Sequence, residues 1–297
     1  MTSHGLFRAE LLLAQSRLIG PVLGLETGGP QASLAVASHG AVLAVAAPER
    51  KAHGETVVGA IDALLREAGV TIKDLAAIAV GIGPGSFTGL RIALSYAKGV
   101  ALATGCGVVG IPSLDALALC ALCLPELASG TTICPILDAR KGELYAALYR
   151  AVENGLEKLS GEFLAKPQDL AGQIDLAEQI ELAGQIDGQV VYLGDGVTSY
   201  GDALRKEAQG PQGASGRKVT VADLSLLRSS AAMIAALGAA RVAKGRLDSV
   251  SSLQPLYVRP SEAELKAKRP ANAAGLEALW SKEKKSSSAS MQTMMKS

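Results

Sequence analysis

The chain has 297 residues, a formal net charge of +1 and an apolar content of 48%, which is sufficient for two modest packed domains. Aromatic residues make up 3% of the chain, so the cores must be built from Ala, Val, Leu and Ile. A net charge near zero argues against a basic surface that grips nucleic acid by itself, and no apolar run approaches the roughly 20 residues of a membrane span.

The four cysteines of the chain do not have the spacing of a zinc site. Cys120 and Cys123 form a C-x-x-C pair, but Cys106 and Cys134 do not supply the second pair that such a site needs. The surrounding run is apolar, so buried free thiols are expected. Free thiols suit a reducing cytoplasm.

Three short apolar segments near the start of the chain are separated by glycine-containing turns. The segments 22–26, 32–37 and 41–47 predict the strands of an antiparallel meander. Apolar residues at helical spacing then predict a helix over 55–67, which Gly69 ends.

The most distinctive local feature is a glycine-rich turn between a predicted strand, 75–82, and a predicted helix that ends near Ala103. Gly83, Gly85 and Gly89 lack a Cβ atom, so the chain can turn sharply there and another backbone or a ligand can come close.

The start of this helix has two candidate N-caps, Thr88 as first choice and Ser86 as second. The free N–H groups of the first turn would point toward the loop, where they could hold a phosphate. The glycine spacing fits neither a Walker loop nor the dinucleotide fingerprint. A tight turn at a domain or subunit contact therefore remains an alternative to a phosphate site.

The same helix carries a ridge of small residues, because Gly89, Ala93, Ala97 and Ala101 recur at every fourth position. Such a ridge allows another element to pack closely. Packing against the protein's own sheet and packing in a subunit interface both remain open.

A strand over 108–111 and a helix over 114–124 complete the first half. Its order of three strands, a helix, a strand, a helix, a strand and a helix is expected of a ribonuclease-H-like domain. The second half begins with strands 133–137 and 143–150 on either side of a charged turn. That turn is either a solvated hairpin with an Asp138–Arg140 contact or a polar contact with a partner subunit.

The remaining segments are mostly helical. A polar segment, 167–183, is prone to form a helix, and a strand over 190–193 precedes a helix over 200–208. An alanine-rich helix over 224–244 is suited to packing between two halves of the protein.

Several blocks of this sequence resemble the TsaB (YeaZ) family, a non-catalytic subunit of the bacterial machinery that makes threonylcarbamoyladenosine in tRNA. The most specific block is Gly-Pro-Gly-Ser-Phe-Thr-Gly-Leu-Arg at 83–91. The blocks appear in family order at 23–27, 83–91, 98–99, 110–114, 137–145, 194–196 and 255–259. One departure is Glu26, where the family usually has Asp.

The resemblance implies an α/β protein with two ribonuclease-H-like domains of the actin/Hsp70/sugar-kinase (ASKHA) superfamily, the second of them reduced. The expected division is an N-terminal extension at 1–20, a first domain at 21–126, a second domain at 127–260 and a largely disordered tail at 261–297.

The resemblance also implies a cytoplasmic scaffold and not a stand-alone enzyme. It would pair with the catalytic subunit TsaD, recruit the ATPase TsaE and support transfer of threonylcarbamoyl to N6 of the adenosine beside the tRNA anticodon. The chain would need no cofactor of its own, although the complex uses ATP and Mg²⁺ and a weak nucleotide contact at the interface is expected. Alone it would form a homodimer. It would contact tRNA only through the complex, and it would not bind a membrane.

The helices 55–67 and 88–103 correspond to the family's pairing surface. The predicted interface residues are Glu55, Val58, Ile61, Asp62, Leu65, Gly89, Ile92, Ala93, Tyr96, Ala97, Val100 and Ala101. The glycine loop would contact phosphate through Gly83, Gly85, Ser86, Thr88 and Gly89. Degenerate nucleotide-site positions are Glu26, Thr27 and Asp138.

No catalytic residue and no metal ligand is predicted. The chain has three histidines, and none follows the fifth strand, where TsaD has its metal-binding pair. Two other classes remain open. One is an actin-like ATPase or a peptidase-like enzyme acting alone, as the older glycoprotease label suggests. The other is a regulatory binding module outside tRNA modification.

Overall fold

The computed structural model describes most of the chain between residues 20 and 259. The described residues are 20–48, 54–124, 127–153, 155–175, 188–209, 218–222 and 230–259. The predictions for the N-terminal extension, for the tail at 261–297 and for residues 176–183 of the polar segment lie outside these residues. In the described part of that segment, a 3₁₀ turn at Pro167–Asp169 leads into helical residues 170–175, as predicted.

The first β-sheet has five strands in the order β3-β2-β1-β4-β5. The first three strands form the predicted antiparallel meander, and β4 and β5 run parallel to β1. The strands are β1 (Val22–Glu26), β2 (Ser33–Ser38), β3 (Ala41–Ala46), β4 (Ala77–Gly83) and β5 (Gly107–Pro112).

The second sheet repeats this topology. Its main path is β10-β7-β6-β11-β12, in which β6, β7 and β10 are antiparallel and β11 and β12 run parallel to β6. The extra β8–β9 hairpin attaches to β6. The strands are β6 (Thr132–Arg140), β7 (Glu143–Ala146), β8 (Tyr149–Val152), β9 (Gly155–Lys158), β10 (Phe163–Ala165), β11 (Gln189–Leu193) and β12 (Lys218–Val221). The predicted fold class, two ribonuclease-H-like α/β units, is confirmed.

Helices cover the sheets in layers. Helices α1 and α2 pack on one face of the first sheet, α3 and α5 contribute to the core between the two sheets, and α4 packs on the other face of the second sheet. The helices are α1 (Gly54–Glu67), α2 (Phe87–Thr104), α3 (Ser113–Cys120), α4 (Gly196–Gln209) and α5 (Ser230–Ala243).

The alanine-rich helix α5 packs closely on the first sheet. A Cβ atom added to Gly24 of β1 would overlap the carbonyl oxygen of Ala231, and one added to Gly238 would overlap Ala79 of β4. The small side chains therefore let the helix axis approach the sheet. Helix α5 also packs against α3. The predicted start at 224 lies outside the described residues.

Two predicted elements differ from the structure. The predicted strand 143–150 is interrupted at Ala147 and Leu148, because the chain leaves β7 there and β8 pairs with the beginning of β6. The N–H of Leu148 donates to Ser160 Oγ at 2.9 Å. The predicted helix 114–124 ends at Cys120 and continues as a 3₁₀ turn at Ala121–Cys123. The short strands β9, β10 and β12 were not predicted.

Both sheets belong to one compact unit that extends to Val258, and the boundary between 126 and 127 stays a prediction. None of the helices in the described residues combines the length and apolar character that crossing a membrane requires.

Candidate functional site

The glycine loop before α2 is filled by the first hairpin of the same chain. The N–H of Ser86 donates to the carbonyl oxygen of Gly28 at 2.7 Å. A Cβ atom on Gly85 would overlap the backbone of Gly28, and one on Gly89 would overlap the carbonyl oxygen of Thr27. These two glycines are therefore explained by close backbone packing.

Gly83 at the start of the loop is held by the C-terminal segment. Its φ is 102°, a conformation that favours glycine, and an added Cβ would meet Leu90 and the carbonyl oxygen of Leu256. The N–H of Leu256 donates to the carbonyl oxygen of Ile82 at 2.7 Å. The geometry supports the tight-turn interpretation for these glycines, and the phosphate contact of the loop stays a prediction.

The N-cap of α2 is Ser86, the second choice of the sequence prediction. The N–H of Gly89 donates to Ser86 Oγ at 3.3 Å, and the helix begins at Phe87. Thr88, the first choice, lies within the first turn and is exposed. The N–H of Ser86 itself donates to the carbonyl oxygen of Gly28, so two of the four N–H groups that the helix start leaves free are used within the chain.

Glu26 ends β1 as a buried carboxyl group. The N–H of Gly28 donates to Glu26 Oε1 at 2.7 Å, while Oε2 has no hydrogen-bond partner within the described residues. The carboxyl group lies against Gly81, where an added Cβ would overlap it. The hydroxyl of the next residue, Thr27, donates to the carbonyl oxygen of Gly89 at 2.8 Å. Glu26 and Thr27 are therefore packed into the fold.

Burial raises the pKa of Glu26. The neighbouring Ser113 hydroxyl and the N–H of Gly28 lower this pKa, and the charge of Asp195 raises it, but burial is the largest influence. Removing a carboxylate from water without full pairing disfavours its charged form.

The Glu26→Gln variant should gain stability relative to the unmodified chain as pH rises. A carboxyl whose folded pKa lies above its unfolded pKa costs nothing when both states are protonated, and its cost grows as pH rises toward the folded pKa. The melting temperatures of both proteins should therefore be close at about pH 4 and differ more at about pH 8. A constant difference across this range would contradict a raised pKa for Glu26.

Asp138 lies near the C-terminal end of β6 and contacts Asp195, whose charge influences the pKa of Glu26. Its N–H donates to Asp195 Oδ1 at 2.9 Å, and the N–H of Arg140 donates to Asp138 Oδ1 at 2.7 Å. The Asp138–Arg140 contact of the hairpin interpretation is thus present, through the backbone of Arg140. Burial is the main cause that raises the pKa of Asp195, and the charge of Asp138 raises it further. Hydrogen bonds from the backbone of Asp138 and Gly196 lower this pKa in part.

The described residues contain no group of three or more His, Cys, Asp or Glu side chains arranged to hold a metal ion. Of the predicted nucleotide-site positions, Glu26 and Thr27 pack against the glycine loop, and Asp138 contacts Asp195 and Arg140.

Helix α2 has two small-residue ridges, and the predicted one is buried. Ala93, Ala97 and Ala101 pack on the first sheet, and Ala97 is 0% exposed. This ridge is therefore explained by packing within the chain.

The second ridge of α2 consists of Ser95, Gly99 and Ala103, which are exposed and again four residues apart. We call it the exposed ridge. On α1, Gly59 and Ala63 are exposed in the same way. Among the residues that the structure describes, nothing lies within 4 Å of a Cβ atom added to Gly59 or Gly99. Both ridges have small residues at every fourth position in the sequence. This spacing does not show which side of the helix faces the sheet.

Comparison with known proteins decides the family. The family model described as "TsaD: tRNA N6-adenosine threonylcarbamoyltransferase" matches residues 45–264. The chain is 28% identical over 243 residues to the tRNA threonylcarbamoyladenosine biosynthesis protein TsaB of Escherichia coli, covering 82% of this chain and 96% of that protein. It is 36% identical over 107 residues to TsaB of Bacillus subtilis, covering 36% of this chain and 44% of that protein.

A solved structure agrees with these matches. YeaZ from Pseudomonas aeruginosa is 25% identical, with a TM-score of 0.61 over 80% of this chain and 100% of that chain. The chain belongs to the TsaB (YeaZ) family. The resemblance predicted from the sequence blocks is confirmed.

The predicted TsaB-type interface residues fall into groups. Those with buried side chains are Ile61, Leu65, Ala93, Ala97, Val100 and Ala101. Val58 is 40% exposed and Asp62 is exposed, whereas Gly89, Ile92 and Tyr96 are partly buried. The side chain of Glu55 lies outside the described part. A pairing surface on these helices must therefore use the residues that the sheet leaves exposed.

Tyr96 marks where the two helices of this surface come together. Burial, with a smaller contribution from the charge of Asp62 on α1, raises the pKa of Tyr96 to about 12. Within the described residues the Tyr96 hydroxyl has no hydrogen-bond partner. A buried hydroxyl in that state is uncommon, and it lies at the edge of the exposed ridge.

Proposed function

We propose that the chain is the scaffold subunit of a threonylcarbamoyladenosine-forming complex and is not catalytic by itself. It pairs with a TsaD-type catalytic subunit, recruits a TsaE-type ATPase and supports transfer of threonylcarbamoyl to N6 of the adenosine adjacent to the tRNA anticodon. The complex works in the cytoplasm. ATP and Mg²⁺ are used by the complex, and the chain needs no cofactor of its own.

The observation that carries this proposal is the pair of exposed glycines, Gly59 and Gly99, within α1 and α2. A glycine inside a helix costs roughly 1 kcal/mol relative to alanine. Neither glycine is required by a neighbouring atom of this chain. A contact with another molecule would give both glycines an advantage, because a glycine lets the backbone of a second helix come close.

Exposed apolar residues lie on the same two helices as these glycines. Val58 is 40% exposed on α1, and Leu102 is 77% exposed on α2. Exposed apolar side chains beside small residues are typical of a protein-binding surface. The same surface would support a homodimer when the catalytic subunit is absent, since a self-complementary helical face can pair with its own copy.

The glycine loop supports a non-catalytic role. Gly85 and Gly89 pack on the backbone of Gly28 and Thr27, which gives these two glycines a role in the fold that does not depend on a bound phosphate. The buried carboxyl of Glu26 is turned toward Gly81 in the same region. A weak nucleotide contact is therefore expected between subunits and not within this loop.

The test is to mix the purified chain with the TsaD-type subunit of the same organism and to measure the mass of the complex by light scattering. The yield of modified tRNA is then measured with and without the chain, in the presence of ATP, the adenylate synthase and the ATPase partner. A heterodimer and strict dependence on the chain are expected. No complex and no dependence would overturn the proposal, and ATP turnover by the chain alone would favour an actin-like ATPase.

A further inference from the structure

An exposed cluster of two aromatic rings and one arginine lies at the start of α2. The rings of Phe87 and Tyr257 are stacked with centroids 5.6 Å apart and an interplanar angle of 27°. The guanidinium carbon of Arg91 lies 3.7 Å from the centroid of the Phe87 ring, and its Nε donates to the Tyr257 hydroxyl at 3.2 Å. We call these three residues the aromatic cluster.

The aromatic cluster is unusual for this chain, in which aromatic residues make up 3%. Phe87 and Tyr257 are each 44% exposed, although burying an aromatic ring is strongly favourable. The cluster joins two sequence blocks that the fold and the pairing surface leave unexplained. Leu256 fixes the second block, because its N–H donates to the carbonyl oxygen of Ile82 at 2.7 Å.

Within the part of the chain that the structure describes, Arg91 is a cation that leaves guanidinium donors unused. Its Nε contacts Tyr257, but no carboxylate of the described residues pairs with the guanidinium. A guanidinium that is stacked on a ring and keeps free N–H groups matches a phosphate or carboxylate in its plane. The aromatic cluster therefore brings two partly exposed rings and an anion contact side by side.

We propose that the aromatic cluster binds an unpaired RNA nucleotide, whose base stacks on the exposed rings while Arg91 contacts a phosphate. Single-stranded RNA is recognised by stacking on aromatic side chains and on arginine, and every base has a suitable face. The near-parallel rings can be extended by a third planar group. This inference rests on the proposed function, since the RNA would be the tRNA that the complex modifies.

The charge of the chain fits a supporting contact. With a net charge of +1, the chain does not attract RNA through a broad basic surface. The aromatic cluster would add one stacked base and one phosphate contact to the binding by the whole complex. Tight binding by the chain alone is therefore not expected.

The test measures binding of a fluorescently labelled anticodon stem-loop RNA to the complex and, at low salt, to the chain alone, by fluorescence anisotropy. Phe87→Ala and Tyr257→Ala should each weaken binding about tenfold. Arg91→Gln should weaken it and reduce the salt dependence by the equivalent of about one phosphate contact. Tyr257→Phe keeps the ring and should stay close to the unmodified protein.

Val152→Ala is the control, because Val152 of β8 is an exposed apolar residue, 40% exposed, that belongs neither to the aromatic cluster nor to the helices α1 and α2. It should leave RNA binding unchanged. All variants should have melting temperatures close to that of the Tyr257→Phe variant. Excess ATP should fail to displace the RNA. Displacement by ATP would instead make free nucleotide the ligand and would overturn the RNA assignment.

The remaining outcomes separate this inference from the proposed function. Unchanged RNA binding by Tyr257→Ala, or no RNA binding by either the chain or the complex, would overturn the aromatic cluster as an RNA site. Loss of the heterodimer with Phe87→Ala would make the cluster a protein contact and also overturn it. If the unmodified chain forms no heterodimer, the proposed function fails, and RNA binding by the chain alone still decides this inference.

Discussion

The Gly99→Arg variant should lose most of its affinity for the TsaD-type subunit and remain folded. Gly99 is exposed on α2, and nothing lies within 4 Å of an added Cβ, so the isolated chain can accommodate the arginine. Arginine is also a better helix former than glycine, which should raise the stability of the isolated chain by about 0.5–1 kcal/mol. In the complex, the same side chain would prevent the close approach of a partner helix. We expect binding to weaken at least tenfold, measured by isothermal titration calorimetry.

The control for this variant is Gly172→Arg. Gly172 is also an exposed helical glycine with nothing near an added Cβ, but it lies in the second half of the chain. Its substitution should leave pairing unchanged. Substitution at Ala97 is not a suitable test, because that side chain is 0% exposed and a charge there would disrupt the core. Full affinity in the Gly99→Arg variant would move the pairing surface away from the exposed ridge.

The Gly89→Ala variant should destabilise the fold by about 3 kcal/mol. The added methyl group would overlap the carbonyl oxygen of Thr27, and both groups belong to backbone that is fixed by hydrogen bonds. The glycine loop and the first hairpin would have to separate, which would also break the Thr27 hydroxyl contact with the Gly89 carbonyl oxygen. Chemical denaturation, with the free energy of unfolding extrapolated to water, measures the effect.

Gly99→Ala in the same helix is the matched control for this prediction. The change is chemically identical, but the added Cβ meets open space. Stability should therefore rise by roughly 1 kcal/mol. Opposite signs for the two variants are the expected result. Equal stability of Gly89→Ala and the unmodified chain would show that the loop does not pack on the hairpin as described.

Local sequence patterns predicted most of the elements. The strands of the first sheet, the helices α1 and α2, and the antiparallel meander were predicted because their apolar periodicity and glycine turns are local signals. Strand β9 was missed because its residues, GLEK, have little apolar character. The interruption between β7 and β8 was missed because the apolar run continues through Ala147 and Leu148, while pairing with β6 decides where each strand ends.

The sequence by itself determined the family, the α/β class and the order of the elements in the first half. Those properties depend on residue type and spacing along the chain. The tertiary structure decided which ridge of α2 is buried and that the glycine loop receives the first hairpin. It also decided that Arg91 meets Tyr257 across 166 positions, with Phe87 stacked on the same ring. These depend on which side of each helix faces the sheet and on contacts between distant segments, and a spacing of four residues is the same for a buried ridge and an exposed one.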